Sequence, residues 1–351
     1  MSASEDLAWS LPLRWGALLL LSLIFSVFLE WLGLPAAPLL GPLAAAVMLS
    51  MRGQKIKLPK PAFVYAQGVV GVMIASYLPH TIFQQILSDW PVFLGGTLST
   101  LSAAAFLGWF LTRSKMLPGT TAIWGFSPGA ATVMTLMSAS YGADMRLVAF
   151  MQYLRVVCCA VIAACMARIL GTPAVAQSAA HVISPATILT GLGLVLTGST
   201  IGLWLNIPAG GLLLPMALGM IARLGFSIHL EQPFLLRVVA YAVVGWAIGM
   251  RFTPDILLHA ARVLPRLLST IIALIVICFG FAVVLAHIAH VDLLTAYLAT
   301  SPGGADSVAI IASTTQVDMP FVIAMQIARF FCVLITGPTL ARFLSRRTED
   351  S

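Results

Sequence analysis

The sequence predicts an all-α integral membrane protein made of two tandem, inverted repeats, each with five spans and one broken or re-entrant helix. Three observations predict this. Long apolar runs recur along the chain. Its second half repeats its first at a fixed offset. The basic residues of the loops are sorted to one side when the two halves run in opposite directions.

The apolar runs come first. Of 351 residues, 60% are hydrophobic and only 9% charged, with a mean hydropathy of +1.00. A soluble domain carries about 25% charged residues. Runs of the length that crosses the hydrocarbon region as a helix cover 13–32, 34–51, 61–78, 90–112, 119–140 and 146–170. They return at 184–204, 207–223, 235–251, 265–289, 293–314 and 321–344. The runs are continuous rather than alternating, which argues against a β-barrel pattern. A helix also satisfies its own backbone hydrogen bonds, as lipid requires. The run Leu13–Leu32 lacks a small-residue cleavage site and is expected to stay as the first span. The net charge of +7 is assigned to cytoplasmic loops rather than to nucleic-acid binding.

The repeat comes next. Aligned without gaps at an offset of 174, segments 121–170 and 295–344 share 16 of 50 residues. Ser127-Pro128-Gly129 meets Ser301-Pro302-Gly303, Asp144 meets Asp318, Gln152 meets Gln326 and Arg155 meets Arg329. Upstream, with one-residue slips, Trp31-Leu32-Gly33-Leu34-Pro35-Ala36 meets Trp204-Leu205-Asn206-Ile207-Pro208-Ala209. The first repeat is read as 1–170, the linker as 171–185 and the second repeat as 186–351.

Loop charge then orients the halves. With twelve spans, Arg146, Arg251, Arg262 and Arg266 fall outside and 12 basic residues inside. If 119–140 and 293–314 return to the side they enter, only Arg168 and Arg223 fall outside, against 14 inside. Arg155, Arg237 and Arg329 lie within spans and are not counted. The second arrangement fits better. It puts both termini in the cytoplasm and inverts the halves.

Two features carry chemistry. The first is the doubled Ser-Pro-Gly. Proline removes a donor and clashes with the preceding turn, so each copy breaks its helix. Ser127 and Ser301 are placed as N-caps of half-helices starting at Pro128 and Pro302. Paired broken helices point to a transporter's binding site, and a packing kink is the plainer reading. The second is the helix after each break. Asp144, Met145, Val148, Met151, Gln152, Arg155 and Cys158 all recur at +174. They fall within an arc of roughly 140°. Arg155 and Arg329 either bind an anionic group or gate a polar path, or they cap the carbonyls of the broken helix. Asp306, whose mate is Thr132, either carries a proton or cation or simply sits at a helix N-terminus.

The candidate substrate-binding residues are therefore Ser127, Pro128, Gly129, Gln152, Arg155, Ser301, Pro302, Gly303, Gln326 and Arg329. Candidate ion-coupling residues are Asp306, Asp144 and Asp318. No metal, cofactor or catalytic residue is expected. His287, His290 and Asp292 have metal-like spacing but read as an interfacial polar cluster. The five cysteines show no metal or disulfide spacing. Nucleotide-binding and nucleophile-elbow motifs do not occur.

The doubled Ser-Pro-Gly, the following Asp and the Gln-x-x-Arg pattern resemble the bacterial AbrB-type membrane protein family, also described as the AbrB duplication or ammonia monooxygenase family. The resemblance covers nearly the whole chain and is best at 121–170 and 295–344. It implies a multi-pass protein of the bacterial inner membrane, linked by its labels to regulation of gene expression or to ammonia oxidation. The soluble DNA-binding AbrB proteins share only the name, and no basic recognition helix is present here.

Three functions follow: a secondary transporter or channel-like protein for a small solute, a membrane-embedded regulator, and an oxygenase. An oxygenase needs several His or carboxylate ligands to a redox metal, and the one compact histidine pair has no counterpart in the first half. The expected partners are the lipid bilayer and a small-molecule or ion substrate, without nucleic acid, and homo-oligomerisation is left open.

Cysteines introduced beside Lys57 and Arg262 are expected to react with a membrane-impermeant thiol reagent from the same side of the membrane. Reaction from opposite sides overturns the inverted arrangement.

Overall fold

A computed structural model describes residues 9–34, 36–77, 89–113, 117, 120–127, 138, 143–170, 184–205, 210–261, 263–330 and 332–333, without the side chains of 257 and 259. Pro128, Gly129, Thr132, Arg262, His80, His181 and most of the linker lie outside these residues. Every described element is helical apart from an isolated bridge residue at Thr315.

The helices are α1 (Leu11–Trp31), α2 (Ala37–Met51), α3 (Lys60–Tyr77), α4 (Trp90–Arg113), α5 (Thr121–Phe126), α6 (Met145–Leu170), α7 (Pro185–Trp204), α8 (Gly210–Phe226), α9 (Phe234–Gly249), α10 (Pro254–Ala260), α11 (Leu264–Ala289), α12 (Leu293–Thr300), α13 (Ala305–Ser313) and α14 (Met319–Phe330). They follow the predicted runs closely, because a helix in lipid extends as far as its apolar residues do. The short α10 was not expected. Its signal is Pro254 followed by Asp255 in the first turn, a common start for a helix. Among the described residues, five helices are long and apolar enough to cross a membrane: α1, α4, α6, α7 and α11.

The chain forms two compact units, and each takes helices from both halves of the sequence. One comprises residues 1–73 and 181–258, the other 74–180 and 259–351.

In the first unit, α2 packs between α1 and α9, and α7 packs on α8. Glycines set these approaches. A Cβ on Gly245 of α9 would lie 2.6 Å from the Leu39 carbonyl oxygen of α2, and one on Gly249 2.6 Å from that of Leu43. Gly71 of α3, 174 residues before Gly245, approaches the Leu212 carbonyl of α8 in the same way. Thus the third helix of each sequence half packs on the second helix of the other. Lipid supplies no hydrophobic drive between helices, so close backbone contact through small residues does this work. Trp246 Nε1 donates to Ser22 Oγ at 2.9 Å, and its ring meets Trp15 edge-on at 6.0 Å.

The outer face of α1 exposes Leu19, Leu20, Leu23, Ile24, Val27 and Phe28. Such a continuous apolar face suits lipid rather than water. Trp31 and Trp204 end α1 and α7 and are both exposed, as the aromatic belt of a bilayer favours.

The second unit holds α4, α5, α6 and α11 to α14. Helix α4 packs on α5 and α11, and α6 contacts α5, α11, α12 and α13. A Cβ on Gly108 of α4 would meet the Ala122 carbonyl at 3.3 Å, and one on Gly125 of α5 would meet Met151 of α6 at 2.6 Å. The short α5 is held between two long helices by these two glycines.

Gly71→Ala and Gly245→Ala should each destabilise the protein by about 1–3 kcal/mol through overpacking. Gly16→Ala, with nothing within 4 Å, should be neutral or gain about 0.5–1 kcal/mol from lower backbone entropy. Thermal unfolding in detergent checks the ranking, and equal effects at the three positions contradict it.

Candidate functional site

The second unit contains a helix break and a helix end that are held on one chemical plan. Helix α12 ends at Thr300, the chain is non-helical from Ser301 to Gly304, and α13 starts at Ala305. With eight and nine residues, α12 and α13 rise about 12 and 14 Å, each under half the ~30 Å hydrocarbon thickness. In the first half α5 ends at Phe126 with Ser127 as its C-cap.

The role expected of Ser301 changes here. It does not start a half-helix at Pro302. Its N–H donates to Tyr297 O at 2.8 Å, which keeps it on the end of α12. Gly304 is the N-cap of α13. The residues Ser301–Gly304 must turn the chain out of one helix before another can begin, and two glycines make that turn available.

A proline has no N–H, so it orphans the carbonyl four residues earlier. For Pro128 that carbonyl belongs to Trp124, and for Pro302 to Leu298. A glutamine supplies the missing donor in both places. Gln152 Nε2 donates to Trp124 O at 2.9 Å, and Gln326 Nε2 donates to Leu298 O at 2.7 Å. The same nitrogens reach Ser127 O at 3.0 Å and Ser301 O at 3.3 Å.

One turn later on the same helix face stands an arginine. Arg155 donates to Phe126 O at 3.0 Å, Ser127 O at 3.3 Å and Gln152 Oε1 at 2.8 Å. Arg329 donates to Ser301 O, to Gly303 O at 2.9 Å and to Gln326 Oε1. Spacing of three residues puts Gln and Arg on one face, and each amide oxygen orients its guanidinium. The last carbonyls of a helix lack intrahelical donors and carry partial negative charge, so a cation suits the position. All four side chains are buried.

The three acids have different settings. Asp144 caps α6, with Oδ1 accepting from Arg146 N at 2.9 Å and Leu147 N at 3.2 Å. Asp318 caps α14, accepting from Phe321 N at 3.1 Å. Their own N–H groups donate to Thr121 and Thr295 Oγ1, each at 3.0 Å, so the start of the polar helix is tied to the start of the broken one. The threonines were not singled out, although their +174 identity was a usable signal. Asp306 is half-buried in the first turn of α13. Pro302 is buried beside Ser301, and Gly303 is half-buried.

Elsewhere, Asp292 caps α12 through Thr295 N at 2.8 Å, and His287 and His290 are exposed at the end of α11. Among the described residues no group of three or more His, Cys, Asp or Glu side chains is arranged to hold a metal.

The second break also approaches α6. A Cβ on Gly303 would lie 3.3 Å from Cys159 Cβ, and one on Gly304 3.7 Å from Val156. The second break therefore lies against α6 within a turn of Arg155, and the charges of Arg155 and Arg329 act on one another.

Comparison with known proteins places the chain in a family. The family described as "Transition state regulatory protein AbrB" matches residues 39–345. "Putative regulator AbrB" of Escherichia coli (strain K12) is 45% identical over 338 residues, which is 95% of this chain and 97% of that protein. "Uncharacterized protein YhjN" of Bacillus subtilis (strain 168) is 24% identical over 307 residues, covering 79% of this chain and 77% of its own. No solved structure matches. With the family matched over most of its length and a relative this similar end to end, the chain belongs to the AbrB family.

Proposed function

We propose that this chain is a secondary transporter or channel-like protein for a small solute, with its site at the paired Ser-Pro-Gly breaks. Its halves form an inverted repeat, and both termini face the cytoplasm of a bacterial inner membrane. One observation carries the reading: the same glutamine and arginine brace both breaks, 174 residues apart. Non-helical backbone at membrane depth is tolerated where it is buried in protein or lines a cavity. Broken helices at matching places in two halves are where transporters bind substrate and coupling ions. Asp306, a carboxylate beside the second break and absent from the first, is the candidate for coupling.

A second reading is a membrane-embedded regulator of gene expression. It is favoured by the name of the Escherichia coli relative. A solute carrier that changes cytoplasmic concentrations would produce the same phenotype. The oxygenase reading finds no support in the relatives' names.

Uptake into proteoliposomes separates the two main readings. A transporter moves at least one small solute, and Gln326→Leu slows it more than tenfold. A regulator shows no flux, and its effect on expression survives variants at both breaks.

A double-mutant cycle tests the brace itself. Gln152→Leu and Arg155→Met act on one network, so their effects on stability should be non-additive by about 0.5–3 kcal/mol. Each alone should cost about 1–3 kcal/mol, because buried carbonyls lose their donors. Additivity between Gln152 and Arg155 in thermal unfolding overturns the shared role.

A further inference from the structure

We propose that the first unit holds the headgroups of anionic phospholipids on a basic surface formed by Arg52, Lys57 and Lys60. This is independent of the transport reading and needs only that α1 crosses a bilayer.

Three segments of the first unit meet at this surface. Arg14 Nε donates to Trp9 O at 2.7 Å, and its Nη1 donates to Lys55 O at 3.1 Å. Trp9 N donates to Gln54 Oε1 at 3.1 Å, and Ser50 Oγ donates to Met250 O at 3.4 Å. Lys55 Nζ lies 3.3 Å from Asp255. The start of α1, the loop from α2 to α3 and the segment after α9 are thereby tied together. Helix α1 begins at Leu11, α2 ends at Met51 and α3 begins at Lys60. The bases therefore stand where apolar helices end, which is the depth of the lipid headgroups. Leu11, Leu13 and Met51 are exposed at the same end. Exposed apolar side chains next to cations suit a lipid, which offers acyl chain and phosphate together, better than a free anion in water.

The charge at this end is one-sided. Residues 9–14 and 50–60 hold five basic residues, Arg14, Arg52, Lys55, Lys57 and Lys60, and no acidic one. Arg14 is spent on backbone carbonyls and Lys55 on Asp255. Arg52, Lys57 and Lys60 are exposed and take no part in these bonds. Basic residues beside a membrane span attract anionic lipid, within about a Debye length of the surface.

The loop that carries them is pinned. Ile56 is buried in a core cluster with Leu18, Leu49 and Trp246, and Leu58 packs against that cluster. Exposure alternates along the loop, so Lys55 and Lys57 face out while Ile56 and Leu58 face in. Cations fixed in this way lose less freedom on binding than those of a flexible tail.

The second repeat supplies an internal comparison. Residues 226–234 join α8 to α9 as 52–60 join α2 to α3, over the same length and with Pro233 at the place of Pro59. Where the first loop has Arg52, Lys55, Lys57 and Lys60, the second has Phe226, His229, Glu231 and Phe234. The connection between these helices thus needs no cation, and the bases of the first loop answer to something outside the fold. Orienting the chain during insertion is the plainer use of such bases. It requires no affinity for a particular lipid, and that difference is measurable.

The test uses purified full-length protein in a neutral detergent. Thermal unfolding is followed as phosphatidylglycerol, or phosphatidylcholine with the same acyl chains, is added to the micelles. A ligand of the folded state raises Tm by mass action, so a saturable rise is expected with phosphatidylglycerol beyond that with phosphatidylcholine. Each cation near an anionic surface contributes about fivefold in affinity. The triple variant Arg52→Gln, Lys57→Gln, Lys60→Gln should keep the Tm of the parent in phosphatidylcholine and need about a hundredfold more phosphatidylglycerol. Should the triple variant fail to insert, Lys57→Gln alone shifts the midpoint about fivefold. The same rise with both lipids, or the parent's midpoint in the variants, overturns the proposal and leaves the bases to orientation. An equal rise with inorganic phosphate assigns the surface to a free anion and overturns the lipid. A rise with soluble polyglutamate and none with phosphatidylglycerol assigns it to an acidic protein segment and overturns the lipid as well.

Discussion

The constraint on which this structure depends is the cost of an unpaired carbonyl where water is scarce. A proline inside an apolar helix removes one donor and frees the carbonyl four residues before it. In water that loss is small, but in a bilayer it is several kcal/mol. Both breaks meet it in one way: a glutamine from the next long helix supplies the N–H that Pro128 and Pro302 lack. The arginine one turn on supplies donors to the carbonyls that follow. The broken helix and the polar helix therefore form one object. The proline makes no sense without the glutamine, and the glutamine has no reason to be buried without the proline.

That solution has a consequence. An arginine is a better brace than a neutral donor because its fork reaches several carbonyls at once, yet it also brings a charge. Two such charges stand in one unit, each held by neutral carbonyl and amide oxygens. The architecture of the break and the electrostatics of the site are the same fact seen at two scales.

The first unit shows the complementary economy. Its helices carry few polar groups and hold together through glycines that let one backbone touch another. Because α3 and α9 each lie on helices from the other half of the sequence, neither half could form this unit by itself. The two halves of the chain are interdependent by packing, and the mid-helix glycines Gly71 and Gly245 are where that dependence is strict.

Much of this could be read directly from the residues. Apolar length marks helices in lipid with little ambiguity, since no other element suits a continuous apolar run. The offset of 174 picked out Gln152, Arg155, Gln326 and Arg329, because a polar residue kept twice in a membrane helix needs a reason. The sequence by itself therefore determined the all-helical class, most of the helices and the polar residues that brace the helix ends. It did not determine what those residues touch. Whether Arg155 faced a ligand or capped a carbonyl was undecided, because both require the same residue on the same helix face. Only tertiary structure settled that the carbonyls of Phe126 and Ser127 are its partners. It also moved Ser301 from the start of one helix to the end of another, since the path of a chain through Pro302-Gly303-Gly304 is set by what packs on it and not by capping preference. And it decided that Asp144 and Asp318 spend a carboxylate oxygen on backbone N–H groups. Local pattern specifies which groups are present. Partners come from elements far apart in sequence, and distance in space is what a sequence does not carry.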